Sequence, residues 1–307
     1  MKNVLVVYYT QSGQLLEIAQ NVVNQLDVSD KVSITYHQIK PVESYNFPWK
    51  KDNFFDAFPE SFLQIPCELE KPEDEVLNKK FDLVILAYQV WYLSPSIPIN
   101  SFLKSEIAKK ILKDTPVITL IACRNMWIKA QEKVKILLQE NEAKLVGNIA
   151  LVDRNINHIS VITITNWMFS GKKERYLGIF PKPGVSEKDI NESIKFGTPI
   201  LNSLLKNDYD NLQNNLLKLD AVRVKPLLVS MDERGNVIFG KWANFIIKKG
   251  KAGDPRRKKS LKAFNYYLLF AIWLIAPIVF IVFLLTYFPL IGKIKREKEY
   301  YMSVKLR

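Results

Sequence analysis

Apolar positions fall into short solid runs separated by amphipathic stretches. Strand patterns cover 4–9, 32–39 ("VSITYHQI"), 81–88 ("FDLVILAY"), 116–122 ("PVITLIA") and 144–152 ("KLVGNIALV"). Helical periodicity covers about 14–26, 97–113, 127–141 and 187–206. Several of the strand runs are almost wholly Val, Ile and Leu, so they predict strands buried on both faces, as in a parallel sheet. Five strands alternating with helices predict an α/β fold, a doubly wound five-stranded parallel sheet in a three-layer sandwich.

The remaining segments depart from this alternation. Residues 40–72, rich in Pro and aromatics, predict an ordered excursion over the sheet, and "VKPLLVSMDERGNVIFG" reads as a hairpin-like element. Residues 263–292 carry no charged side chain. As a helix they would extend about 45 Å, against roughly 30 Å for a bilayer core, which predicts a membrane segment. Pro277 at mid-run leaves open whether it spans or re-enters. Met1-Lys2-Asn3 leads directly into a strand, so no signal peptide is expected. The expected division is a core at 1–206, a basic membrane-proximal segment at 207–262, the apolar segment at 263–292 and a basic tail at 293–307.

A net charge of +13 suggests nucleic acid until it is mapped. Residues 241–262 hold nine Lys/Arg against Asp254, and residues 293–307 hold six against two acids. The basicity flanks the apolar run on both sides. This points to anionic membrane lipids as partners rather than nucleic acid. Only Cys67, Cys123, His37 and His158 are available as soft ligands, and they are scattered. Neither a disulfide framework nor a metal site is expected, and the cysteine usage points to a reducing, cytoplasmic compartment.

Candidate chemistry lies in the loops that leave the strands at their carboxyl ends, where a doubly wound sheet binds its ligands. The first strand stops at Tyr9 and a helix begins almost at once, across Thr10-Gln11-Ser12-Gly13. Hydroxyls, a glycine and the free N–H groups of a helix start make a pocket for a terminal phosphate. Thr10 or Ser12 could equally only cap the helix. The loop lacks the lysine of a P-loop and the three glycines of a dinucleotide fingerprint. After the third strand, "YQVWYLSPSIPINSFL" sets Trp91 and Tyr92 in a loop stiffened by Pro95 and Pro98, a surface on which a flat ring could stack. The fourth strand exits into "CRNMW", where Arg124 could balance developing negative charge and Asn125 could hydrogen-bond it; Arg124 could also simply be solvated. Cys123 has no neighbouring histidine and reads as a packing residue, not a nucleophile. Asp153-Arg154 and His158 follow the fifth strand, and Asp153 and His158 are candidate bases. Trp167, Met168 and Phe169 read as packing or a hydrophobic lid.

These loops resemble the flavodoxin-like family of FMN proteins. There a T-x-[ST]-G loop grips the FMN phosphate and a P-V-W-x-x-x-P-S-x-P loop lines the ring. The resemblance implies FMN as cofactor. It implies Thr10, Gln11, Ser12, Gly13 and Gln14 at the phosphate, with Gln89, Val90, Trp91, Tyr92, Leu93 and Ser94, and then Cys123, Arg124 and Asn125, around the ring. Leu15 and Gln89 depart from the pattern, where a hydroxyl and a Pro are usual, which lowers the expected phosphate affinity. Together with "ACRNMW", "LVDRN" and the basic apolar C-terminus, the chain resembles the bacterial dialkylresorcinol-condensing proteins, also described as aromatases. That resemblance implies a hydrophobic alkyl-chain substrate and a partner ketosynthase; the cysteine usage, the apolar segment and its basic flanks predict a place on the cytoplasmic face of the inner membrane, anchored by the C-terminal segment.

Three functions are therefore open. One is a membrane-anchored FMN oxidoreductase aromatising a dialkylcyclohexanedione to a dialkylresorcinol, with Arg124, Asp153 and His158 as catalytic candidates. The others are an NAD(P)H:quinone reductase and a flavodoxin-type electron carrier. A flavin site without a Cys-His-Asn nucleophile is equipped for redox chemistry rather than Claisen condensation.

Overall fold

The computed structural model describes residues 1–307. The five expected strands are β1 (Lys2–Tyr8), β2 (Val32–Gln38), β3 (Leu83–Tyr88), β4 (Pro116–Cys123) and β5 (Lys144–Val152). All pair in parallel, in the spatial order β2-β1-β3-β4-β5. That order places the switch point between β1 and β3, the flavodoxin-like arrangement. Every residue of β3 is buried, as its unbroken apolar run requires. Helix α1 (Gln14–Asp27) buries Leu15, Ile18, Val22 and Leu26 at helical spacing. The stretch expected as one helix over 97–113 is two, α2 (Ile97–Leu103) and α3 (Glu106–Leu112). Ser105 separates them because its hydroxyl accepts from the Ala108 N–H and caps the second. Helix α4 (Ile128–Glu140) follows β4, and α5 (Asn157–Ser170) follows β5. Helix α6 (Gly197–Lys206) packs on α1, with the short helix Glu187–Glu192 before it.

The expected boundary at residue 206 falls inside the fold. Helix α7 (Leu212–Lys218) buries Leu212 and Leu216 in the main core, and Ala221 accepts from the Ala150 N–H at 2.8 Å, covering the edge of β5. The supposed hairpin is instead one helix, α8 (Pro226–Ile247), opened by proline at its first position. "DERGN" imitates a turn in sequence, but Gly235 is helical for a packing reason. A Cβ there would stand 3.2 Å from Leu93 Cδ1. The 40–72 excursion forms two short helices, Lys51–Asp56 and Phe58–Phe62, whose aromatics meet α8 at the carboxyl edge of the sheet.

Helix α9 (Pro255–Thr286) is long and apolar enough to cross a membrane, with a mean hydropathy of 3.0 in its most apolar stretch. Its start is fixed to the domain. Arg257, 0% exposed, forms a forked pair with Glu60 (2.6 and 2.9 Å) and donates to the Asp56 carbonyl at 2.8 Å. Two turns on, Phe264 stacks on Phe58 with ring centroids 3.8 Å apart. After a turn at 287–290, helix α10 (Ile291–Met302) brings Tyr301 back into the core. Removing one partner of a buried ion pair leaves an uncompensated charge, at a cost of roughly 3 kcal/mol. Arg257→Ala should therefore lower the thermal unfolding midpoint in detergent by several degrees, and Glu60→Gln should do so less because one oxygen still accepts.

Candidate functional site

Three loops converge at the carboxyl ends of β1, β3 and β4. In the first, Gly13 has φ +83°, a left-handed conformation natural to glycine. Its N–H donates to Thr10 Oγ1 at 3.2 Å, so in this state the threonine closes the turn. Ser12 and Gly13 are exposed, no atom lies within 4 Å of a Cβ built on Gly13, and the first acidic residue is Glu17, a turn into α1. The tip is thus an open cradle at a positive helix end. Other side chains expected here do something else. Gln11 bridges to the excursion, donating to the Tyr45 carbonyl at 3.0 Å and accepting from Trp49 Nε1 at 3.2 Å. Gln14 is buried and exchanges two 3.1 Å hydrogen bonds with the Val185 backbone. Leu15 belongs to the core.

The second loop is a tight two-residue turn. Val90 pairs with Pro95 and Trp91 with Ser94, while Tyr92 and Leu93 both adopt positive φ (50° and 60°). Non-glycine residues there cost roughly 1–3 kcal/mol each, so the surroundings must hold them. The Tyr92 hydroxyl donates to the Phe54 carbonyl at 2.7 Å, and Leu93 packs into the gap at Gly235. The turn sends its aromatics apart. Trp91 stands edge-on to Tyr9, Tyr45 and Trp49 on the side of the first loop. Tyr92 turns toward Phe58 and Phe264. Ser94 is fully buried and takes a 2.6 Å hydrogen bond from Lys133, whose ammonium burial depresses to about 8. Gln89 Oε1 is buried with no partner.

In the third loop, Arg124 donates to Asn157 Oδ1 at 2.8 Å, and Asn125 Nδ2 donates to the same oxygen at 2.9 Å. Arg124 has no ion-pair partner; burial disfavours its charge, partly offset by the neighbouring Cys123 and by Asp153. Asn125 Oδ1 is buried and unpaired. Cys123 is the packing residue expected, since burial pushes its thiol far up. The two candidate bases are engaged in structure. Asp153 accepts from the Asn155 N–H at 2.9 Å and from Ser160 Oγ at 2.7 Å, fixing the start of α5. His158 meets the Ile272 carbonyl through Nε2 at 3.0 Å and packs on Trp273, which ties α5 to α9.

Between these loops and the C-terminal helices lies a cavity of about 340 Å³. One end is polar, formed by Arg124, Asn125 and Asn157, and Arg234 of α8 is a second basic lining residue. The walls are apolar: Met231, Ile238 and Phe239 of α8, and Leu268, Ile272 and Ile275 of α9, among others. Asn157 and α8 are the cavity-lining contributors that the sequence pattern did not indicate. The apolar spacing 231, 235, 238, 239 is helical and was visible, but the polar "DERGN" inside it obscured the period.

Comparison with protein-family models yields no match, and neither does comparison with curated proteins. Among solved structures, the chain is similar to a flavoprotein in complex with FMN from Lactobacillus acidophilus, at 16% identity over 48% of this chain and 92% of that one, with a TM-score of 0.37. It is also similar to the Trp repressor binding protein from Bacillus subtilis, at 14% identity over 55% of this chain and 99% of that one, with a TM-score of 0.28. These values go no further than the outline of the α/β half.

Asp232 of α8 is fully buried against the start of α4, accepting from the Lys129 N–H at 3.2 Å with Oδ1 unpaired. Burial raises its carboxyl from about 3.8 to about 7, despite hydrogen bonds from the Lys129 and Ile128 backbone and the charges of Lys129 and Lys133. Between those values the folded chain keeps a proton that the unfolded chain has lost, so this contribution is full below about pH 4 and disappears as pH rises through 7. It amounts to at most about 4 kcal/mol. Asp232→Asn keeps the acceptor without the charge. It should raise the unfolding midpoint at pH 8 and flatten its fall between pH 4 and 7, as a pH series of thermal melts would show.

Proposed function

We propose that the chain is a membrane-anchored FMN-dependent oxidoreductase that aromatises a dialkylcyclohexane-1,3-dione to a dialkylresorcinol. The observation that carries this reading is Arg124: a guanidinium with no carboxylate in ion-pair range, held by Asn157 at the polar end of a mostly apolar cavity that Arg234 of α8 also lines. In a low-dielectric site such a cation strongly favours an anion, and the enolate of a 1,3-dione is one.

The residues present fit FMN. The Gly13 cradle is open and free of acidic side chains, as a phosphate needs. Two buried, unpaired amide oxygens, Gln89 Oε1 and Asn125 Oδ1, stand on the second and third loops, available to N–H groups of a ring. Thr10, Ser12 and Gly13 would hold the phosphate, with Gln89, Trp91 and Asn125 about the ring. When bound, FMN would accept a hydride, two electrons and one proton, from the dione; the second proton is the one the dione releases on ionising.

The chain's own part is to bind, orient and keep dry. Arg124 takes the enolate oxygen, and its charge lowers the cost of forming the enolate, so the acidic dione can enter already ionised. With Asp153 and His158 both engaged, this route asks neither to act as base; as the ring becomes aromatic, the remaining carbon-bound proton passes to oxygen. The alkyl chains lie between α8 and α9, where burying each methylene is worth about 0.8 kcal/mol and excludes water from the ring. Anchored by α9 at the cytoplasmic face of the inner membrane, beside anionic lipids, the enzyme would take its dione from a partner ketosynthase.

Gly13→Asp tests the cradle. A Cβ there meets nothing within 4 Å and Asp tolerates the left-handed φ of +83° at a cost of about 1 kcal/mol, so the fold should survive while flavin retention is lost; full occupancy in the variant would exclude this loop. Anaerobic mixing of flavin-loaded protein with the dione should bleach the flavin and yield about one resorcinol per flavin. Bleaching by NAD(P)H but never by the dione would transfer the assignment to a quinone reductase. Arg124→Ala should slow the dione half-reaction roughly a hundredfold while leaving FMN affinity unchanged.

A further inference from the structure

From Ala263 onward helix α9 is apolar all round, yet one of its faces rests against the protein. Phe264, Leu268, Ile272, Ile275 and Val279, three or four residues apart, face Phe58, His158 or the cavity. The opposite face points outward with large apolar side chains, among them Tyr266, Phe270, Trp273, Leu274, Ile281 and Leu285. A helix that crosses a bilayer alone meets lipid on every side; over 264–279 this one lies along the domain with one face partly covered, and only beyond 280 is it open nearly all round.

Its free end is short. Beyond Val279, the last residue lining the cavity, only seven residues of helix remain to Thr286. They reach about 10 Å, against roughly 30 Å for a bilayer core. The turn that follows is strongly apolar and open, with Phe288 79% exposed. The chain then comes back to the same domain. Tyr300 pairs with Glu132 through its hydroxyl, and Tyr301 donates to Glu233 at 3.1 Å. Gln213 donates to the Met302 carbonyl at 2.9 Å, and Lys135 to the Lys305 carbonyl at 2.8 Å. A tail on the far side of a membrane could make none of these bonds.

We infer that the protein is monotopic. Helix α9 lies in the plane of one leaflet, its last residues and the turn at 287–290 dip into that leaflet and return, and the residues before and after share one side. The charge pattern agrees. Lys and Arg concentrate on the cytoplasmic flank of a spanning segment, whereas here both flanks are basic, with nine such residues over 241–262 and six over 293–307. Both sets then face the headgroups of the same leaflet, and an anionic surface is the partner they fit. This inference stands whatever reaction the cavity supports.

Native lysines provide the test. Lys188 is an exposed residue of the α/β domain, and Lys305 an exposed residue of the tail. Sealed membrane vesicles of both orientations, prepared from cells producing the full chain, are treated with a membrane-impermeant amine reagent, and the sites are mapped by peptide mass spectrometry. Lys188 and Lys305 should be modified in the same preparation and protected in the other. Modification of Lys305 only in the orientation that protects Lys188 would establish a spanning helix and overturn the inference.

Discussion

The arrangement depends on how α9 is held against the carboxyl edge of the sheet. Three contacts of different chemistry do this along its length: the forked Arg257–Glu60 pair, the Phe264–Phe58 stack and the His158–Ile272 hydrogen bond. An apolar helix left to itself would have no reason to choose one side. Pinned at three points, it becomes a wall, and the space between it and the strand-end loops becomes a cavity. The same constraint accounts for several residues that look misplaced in isolation. Gly235 sits inside a helix because Leu93 must pass there. Tyr92 and Leu93 accept positive φ because the turn must send one aromatic to each side. His158, the natural candidate for acid–base work, is occupied with holding the helix.

Much of the α/β core was legible from residues 1–206, because parallel strands buried on both faces leave unbroken apolar runs that turns punctuate sharply. The boundaries of β2, β4 and β5 lie within one residue of the expected ones. What was not legible depends on contacts across the chain. Nothing local says that Gln11 and Gln14, in a loop that resembles a phosphate grip, spend their amides on Tyr45 and Val185. Nor could sequence show that Asp153 is consumed by Ser160, since that role exists only once α5 forms. Helix α8 was misread because a charged pentapeptide with a glycine has the composition of a turn, and only the packing of Leu93 and Phe62 onto its two glycines explains the choice.

Electrostatics separates the two sides of the site. On the first-loop side the groups offered are backbone N–H donors at a helix end, suited to a phosphate. On the cavity side there are two guanidiniums, Arg124 and Arg234, two asparagines and mostly hydrocarbon. Burial of Asp232 beneath α8 adds a proton-holding group close to the third loop without adding a negative charge at low pH. Such a division fits a charged cofactor held from one direction and an amphiphilic substrate entering from the other, its chains aligned with the lipid-facing helices.

The central claim is that this edge of the sheet binds a flavin beside a lipid-facing cavity. It is tested most directly by purifying the full chain in detergent, recording its visible absorbance and quantifying the flavin released on denaturation. The account predicts an oxidised-flavin spectrum and about one FMN per chain, restored by adding FMN to any stripped fraction. A colourless protein that takes up no FMN would contradict it.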